Sequence, residues 1–177
     1  MPSAAAEVGS ATVAGYGERT EPMRLVTLGD AYTRGTETAA PRRDSWPAQL
    51  VESLERGDVD LWLWNLAESG HSSDQLLEEQ LGQVASLQPD VVTLQVGVND
   101  ILAKSTDIYR ENVTHILDEL LTILPRERVF AITTPDHTLT EWGDAYGPRA
   151  YGSAAVAMLN HTLTEVAEAR GVTVIDI

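Results

Sequence analysis

The sequence predicts an α/β fold: a three-layer α/β/α sandwich around a five-stranded parallel sheet in the flavodoxin-like order 2-1-3-4-5. Three observations support it. Five short runs rich in Val, Ile, Leu and Thr recur along the 177 residues. Most lack the apolar-polar alternation of a half-exposed strand, which is the pattern of strands covered on both faces. Helix-period segments separate the runs, and an alternating β-α order requires parallel strands joined by right-handed crossovers.

The elements follow in order. Residues 1–20 are small and polar and read as a disordered leader; the domain is expected to span 21–177. Strand 1 is "MRLVTL" (23–28). Asp44 or Ser45 can cap the first long helix, with Pro47 in its first turn and Leu50, Val51 and Leu54 along one face. Strand 2 is "VDLWLWNL" (59–66), and Ser72 or Ser73 can cap the helix that turns Leu76, Leu77, Leu81 and Val84 inward. Strand 3 is "VVTLQV" (91–96). Residues 105–124 form a helix with Ile108, Ile116, Leu117, Leu120 and Leu124 at helical spacing, closed by Pro125. Strand 4, "RVFAITT" (128–134), runs into a polar loop over 135–149. A last helix over about 150–169 stops near Gly171, and "VTVIDI" (172–177) is strand 5.

Composition narrows the function. Twelve basic residues face 27 acidic ones, a net charge of -15. That argues against nucleic acid and anionic membrane as partners, because Lys and Arg must neutralise their phosphates. The absence of cysteine excludes disulfides and thiolate metal sites, and no HExxH or similar spacing exists, so no metal is expected. No apolar run approaches the roughly 20 residues of a membrane span. Residues 1–20 lack the basic start and apolar middle of a signal peptide, so the expected location is cytoplasmic. The loop after strand 1 has neither G-x-G-x-x-G nor a P-loop lysine, and no cofactor is expected.

In an open sheet of this order, ligands bind beyond the carboxyl ends of the strands, where the winding reverses. The loops after strands 1, 2 and 3 become neighbours there: "GDAYTRG" (29–35), "NLAESGHSS" (65–73) and "GVND" (97–100). Gly29 lets the backbone leave its strand sharply. The backbone N–H of Ala31, an N–H at Gly70 and the side-chain amide of Asn99 are three donors; aimed at one point they form an oxyanion hole. Each feature alone reads as a turn, a loop glycine or a helix cap, and their joint placement is the signal. His71 adjoins the crevice as a lining residue. Trp142 and Tyr146, in the loop after strand 4, can wall a substrate pocket.

The three loops resemble the blocks of the SGNH hydrolases, the GDSL-type esterases and lipases. "GDA" stands where the family has G-D-S, "NLAESG" resembles the second block, and "GVND" matches G-x-N-D; the likeness spans roughly 23–177. The resemblance implies acyl transfer on a small-molecule ester or acylated substrate. Gly70, Asn99 and the N–H of residue 31 would be its oxyanion donors, and Asp30 and Asp100 structural supports. Two departures stand out. The nucleophilic serine is replaced by Ala31, whose methyl cannot attack a carbonyl. The D-x-x-H block, which supplies the general base and its carboxylate, and the final helix do not appear before Ile177. Of the histidines present, His137 beside Asp136 is the best substitute base and a weak one, while His115 and His161 read as surface residues. The chain is therefore expected to be inactive: a C-terminally truncated hydrolase, or a pseudoenzyme that still binds an acyl ligand. The absent helix is expected to leave part of strands 1, 3 and 4 uncovered, an exposed apolar patch that favours association.

Overall fold

A computed structural model of the protein describes residues 21–35, 41–103, 105–140 and 149–177. The five apolar runs all form strands: β1 (Met23–Gly29), β2 (Leu61–Asn65), β3 (Val91–Gln95), β4 (Val129–Ile132) and β5 (Thr173–Ile175). Every pairing is parallel and the order is β2-β1-β3-β4-β5, as the sequence predicts. The register sets Val26 beside Val92 and Thr27 beside Thr93, so the central strands share their two faces in step.

The helices begin where short polar side chains can accept from their first N–H groups. After β1 come the short α1 (Ala31–Arg34) and α2 (Pro41–Asp44), then α3 (Trp46–Glu55). Ser45 caps α3, accepting from the N–H of Ala48. Ser72 and Gln75 form a capping box for α4 (Ser73–Gln75), which continues as a π-helical stretch, Leu76–Gln80, and as α5 (Leu81–Leu87). A single turn, α6 (Asp100–Ala103), precedes α7 (Thr106–Ile123), which Ser105 caps. Helix α8 (Arg149–Glu168) is the last, and Gly171 follows it at φ +67°.

The core fills one side of the sheet. Val26, Leu28, Val92, Leu94, Val129 and Ala131 meet Leu76 and Val84, Val113, Ile116, Leu117 and Leu120 of α7, and Leu159 and Leu163 of α8. Two expected inward residues lie off these stripes. The buried line of α7 starts at Tyr109 rather than Ile108, which is 42% exposed, and Leu50 of α3 is 38% exposed at the margin of a helix that rests on the edge strand β2.

The other side of the sheet narrows the expectation of a partly uncovered face on strands 1, 3 and 4. Leu25, Thr27, Thr93, Gln95 and Ile132 are all buried. The reason lies in the segment after β1. Thr33 Oγ1 and Trp46 Nε1 both donate to Gln95 Oε1, at 3.0 and 3.2 Å, so α1 and α3 reach across to β3. Val91 of β3 and Phe130 of β4 on this face are half-buried, and at the far edge Ile175 of β5 is 41% and Ile177 63% exposed. The expected leader, residues 1–20, lies outside the described residues, as do Trp142 and Tyr146.

Candidate active site

The carboxyl end of β1 is built around a glycine that admits no side chain. A Cβ on Gly29 would collide with the carbonyl oxygen of Gln95 and lie 2.7 Å from Thr33 Oγ1. The chain then turns directly into α1. Asp30 caps it, its Oδ1 accepting from the N–H of Tyr32 at 3.0 Å, and Gly35 ends it at φ +78°. Ala31 is therefore the first residue of a one-turn helix at the mouth of the sheet, half-buried.

The second loop is laced to the first. The N–H of Leu66 donates to Thr27 O at 2.9 Å and that of Glu68 to Gly29 O at 3.2 Å, which extends the β1–β2 pairing beyond the strands. Arg34 reaches Ala67 O at 3.0 Å and pairs with Glu68 at 2.5 Å. Gly70 stands exposed at φ +84° with no atom within 4 Å of where a Cβ would sit. Its neighbour His71 presents Nδ1 to Gln80 at 3.1 Å and Nε2 to Glu79 at 3.7 Å. Both ring nitrogens are thus directed at the helix that follows.

The third loop closes on the second. Asn99 donates its side-chain amide to His71 O at 2.9 Å. Asp100 accepts from Ser73 N and from Ser73 Oγ, the latter at 2.5 Å, and Asn112 of α7 supports Ser73 at 2.8 Å. Ala31, Gly70 and Asn99 therefore lie on three loops that share hydrogen bonds, with Asp30 and Asp100 beneath them, both buried.

Electrostatics sharpen this support. Burial pushes the Asp30 carboxyl up to about 7, reinforced by the charge of Asp100 and opposed by the N–H groups of Tyr32 and Gly97. Tyr109 completes the cluster. Burial first, then the Asp100 and Asp30 charges, raise its phenol and hold it neutral, donating to Val96 O at 2.8 Å.

The remaining histidines are elsewhere. His115 and His161 are exposed on α7 and α8, as expected. His137 opens a 3₁₀ turn after β4. Its neighbour Asp136 is held below the ordinary carboxylate range by hydrogen bonds from Ser153 and Thr138, which makes it an anchor for that turn. No helix among the described residues is long and apolar enough to cross a membrane.

A family model for the GDSL-like lipases and acylhydrolases matches residues 27–177, from the end of β1 through all three loops and β2 to β5. The chain belongs to that family. Solved structures agree on the fold. AlinE4, an SGNH-hydrolase family esterase, superposes with a TM-score of 0.69 at 20% identity, covering 89% of this chain and 77% of that one. A lipase/acylhydrolase from Enterococcus faecalis gives 0.69 at 23% identity over 87% and 75%. The psychrotrophic esterase EstA from Pseudoalteromonas sp. gives 0.68 at 18% over 87% and 76%. No curated protein matches the sequence.

Two residues that tie these loops together carry no motif. Gln95 ends β3 and gathers Thr33, Trp46 and Thr133 O around one amide. A glutamine at the end of an otherwise apolar strand was the available sign. Gln80, within "LLEEQLGQV", reads as the polar face of a helix, and nothing in the sequence marks it.

Proposed function

We propose that this chain carries the acyl-transfer crevice of an SGNH-type ester hydrolase with its nucleophile position vacated, and that residues 1–177 by themselves do not turn over esters. The observation that carries the reading is Ala31: a methyl at the start of α1, beside loops that carry Gly70 and Asn99 and are tied together by hydrogen bonds. In this reading the N–H groups of residue 31 and Gly70 and the amide of Asn99 are the oxyanion donors, and Asp30 and Asp100 shape the loops that hold them. The ligand class is a carboxylic ester or an acylated small molecule. With serine at position 31, its Oγ would bond to the ester carbonyl carbon as a base took its proton. The alcohol would leave, and water would then release the acid.

A base is the second requirement. The ring nitrogens of His71 face Gln80 and Glu79, His115 and His161 lie on the surface, and His137 opens the turn after β4 while its neighbour Asp136 is taken up by Thr138 and Ser153. The substitution Ala31→Ser alone should therefore stay at background with p-nitrophenyl acetate. The same substitution in a chain extended by a segment containing D-x-x-H should hydrolyse it. A folded, extended chain that remains at background would sink the assignment.

A second reading keeps the crevice and discards the chemistry: the surviving donors bind an acyl group without turning it over. The hydrogen-bonded lacing of the three loops favours it, because it persists without a nucleophile. Titration of the unmodified chain with butyrate should then shift the amide resonances of Ala31 and Gly70 selectively. Unmoved resonances at millimolar butyrate would count against it.

A further inference from the structure

Gln80 is buried, 1% exposed, between two of the three site loops. It is the last residue of the π-helical stretch, where the N–H of Leu81 reaches back five residues to the carbonyl of Leu76. That wider turn accommodates one extra residue, so that Leu76, Gln80, Leu81 and Val84 all turn inward. Single π turns inside α-helices recur at functional sites.

The Gln80 amide has three partners. Its Oε1 accepts from Gly29 N at 3.0 Å, and its Nε2 donates to Gly29 O at 2.8 Å and lies 3.1 Å from His71 Nδ1. The two ends of an amide are normally hard to tell apart. Here the backbone decides, because the Gly29 N–H can only donate and its carbonyl can only accept. Both Nε2 hydrogens are then donors, so His71 Nδ1 is the acceptor and the ring proton sits on Nε2, facing Glu79. The His71 carbonyl in turn accepts from Asn99. One side chain therefore grips the residue before Asp30 and Ala31, and through His71 reaches the loops of Gly70 and Asn99.

We propose that Gln80 is a positioning residue of the crevice, locking the first two site loops together by clasping both backbone polar groups of Gly29 and the Nδ1 of His71. Its purpose rests on the oxyanion reading, whereas its geometry is testable without it. The first experiment is nitrogen NMR of the His71 ring, with amide exchange, on the whole chain at a pH where the ring is neutral. The unmodified protein should show the Nε2–H tautomer. Gln80→Glu should invert it to Nδ1–H, because a carboxylate then faces that nitrogen. Gln80→Leu should leave mixed tautomers and speed exchange at Gly29 by about 10-fold, the loss of one buried hydrogen bond, with core amides of β3 and α7 unchanged. A tautomer unmoved in both variants, or exchange accelerated equally across the sheet, overturns the proposal.

The second experiment separates the two ideas. In the Ala31→Ser chain extended with D-x-x-H, Gln80→Leu should lower kcat for p-nitrophenyl acetate by at least ~10-fold with KM little changed, as expected for displaced catalytic groups. An unchanged kcat overturns the positioning role. If the extended chain is inactive with Gln80 in place, the hydrolase reading fails, and the His71 signature alone decides the clasp.

Discussion

Asp30 is a buried carboxyl that holds its proton to about pH 7, because burial and the neighbouring Asp100 oppose its ionisation more than the N–H of Tyr32 favours it. An unfolded aspartate ionises near pH 4. Between those values the folded state binds more protons than the unfolded one, so the contribution of Asp30 to stability falls as pH rises from about 4 to about 7. The penalty is absent below pH 4 and complete above 7. Asp30→Asn keeps an oxygen to cap α1 and cannot titrate. Its stability relative to the unmodified protein, from urea unfolding, should therefore rise by something on the order of 2–4 kcal/mol between pH 4 and pH 8. A difference that is flat with pH would show that the carboxyl ionises normally. The glycines separate in the same way. Gly29→Ala must push a Cβ into Gln95 O and should cost about 2–4 kcal/mol, in line with severe local strain. Gly70→Ala meets open space and bears only its left-handed backbone, about 1 kcal/mol. Equal costs in denaturant unfolding would contradict this account of the two loops.

The strands were legible at the scale of elements because covered β runs are short, apolar and bounded by turn residues, and "VVTLQV" and "RVFAITT" are unambiguous in that respect. Helix starts were legible where a hydroxyl precedes the helix, as at Ser45 and Ser72. Facing was less so. Ile108 and Tyr109 are adjacent, and apolar character alone does not say which of them lies on the buried stripe; the choice falls to Tyr109, whose hydroxyl finds Val96 O. The covering of β1 and β3 was also illegible, since it depends on Thr33 and Trp46 reaching Gln95 from far along the chain. Of the proposed site, the loop residues Gly29, Asp30, Gly70 and Asn99 stand in short motifs. Gln80 does not, because its inward direction comes from a π turn that leaves no mark in the apolar period.

The whole molecule carries fifteen more acidic than basic residues. Its cations are partly committed to local pairs: Arg170, in the turn after α8, grips Asp118 of α7 at 2.6 and 3.0 Å, and Arg110 of α7 meets Glu165 of α8 at 2.6 Å. Such exposed pairs contribute little to stability, and salt weakens them. The unmatched carboxylates act in the opposite sense, because compaction brings like charges together and salt screens their repulsion over a Debye length of about 10 Å at 0.1 M. The imbalance of 27 acidic to 12 basic residues decides which effect wins. Melting temperature at pH 7.5 should therefore rise by a few degrees, roughly 1–2 kcal/mol of stability, between 10 and 300 mM NaCl. At pH 4.5, where many carboxylates take up protons, the rise should shrink or vanish. A melting temperature that falls with salt at pH 7.5 would mean that the α7–α8 ion pairs outweigh the net charge. The Arg170→Ala variant would then be expected to lose most of that salt dependence.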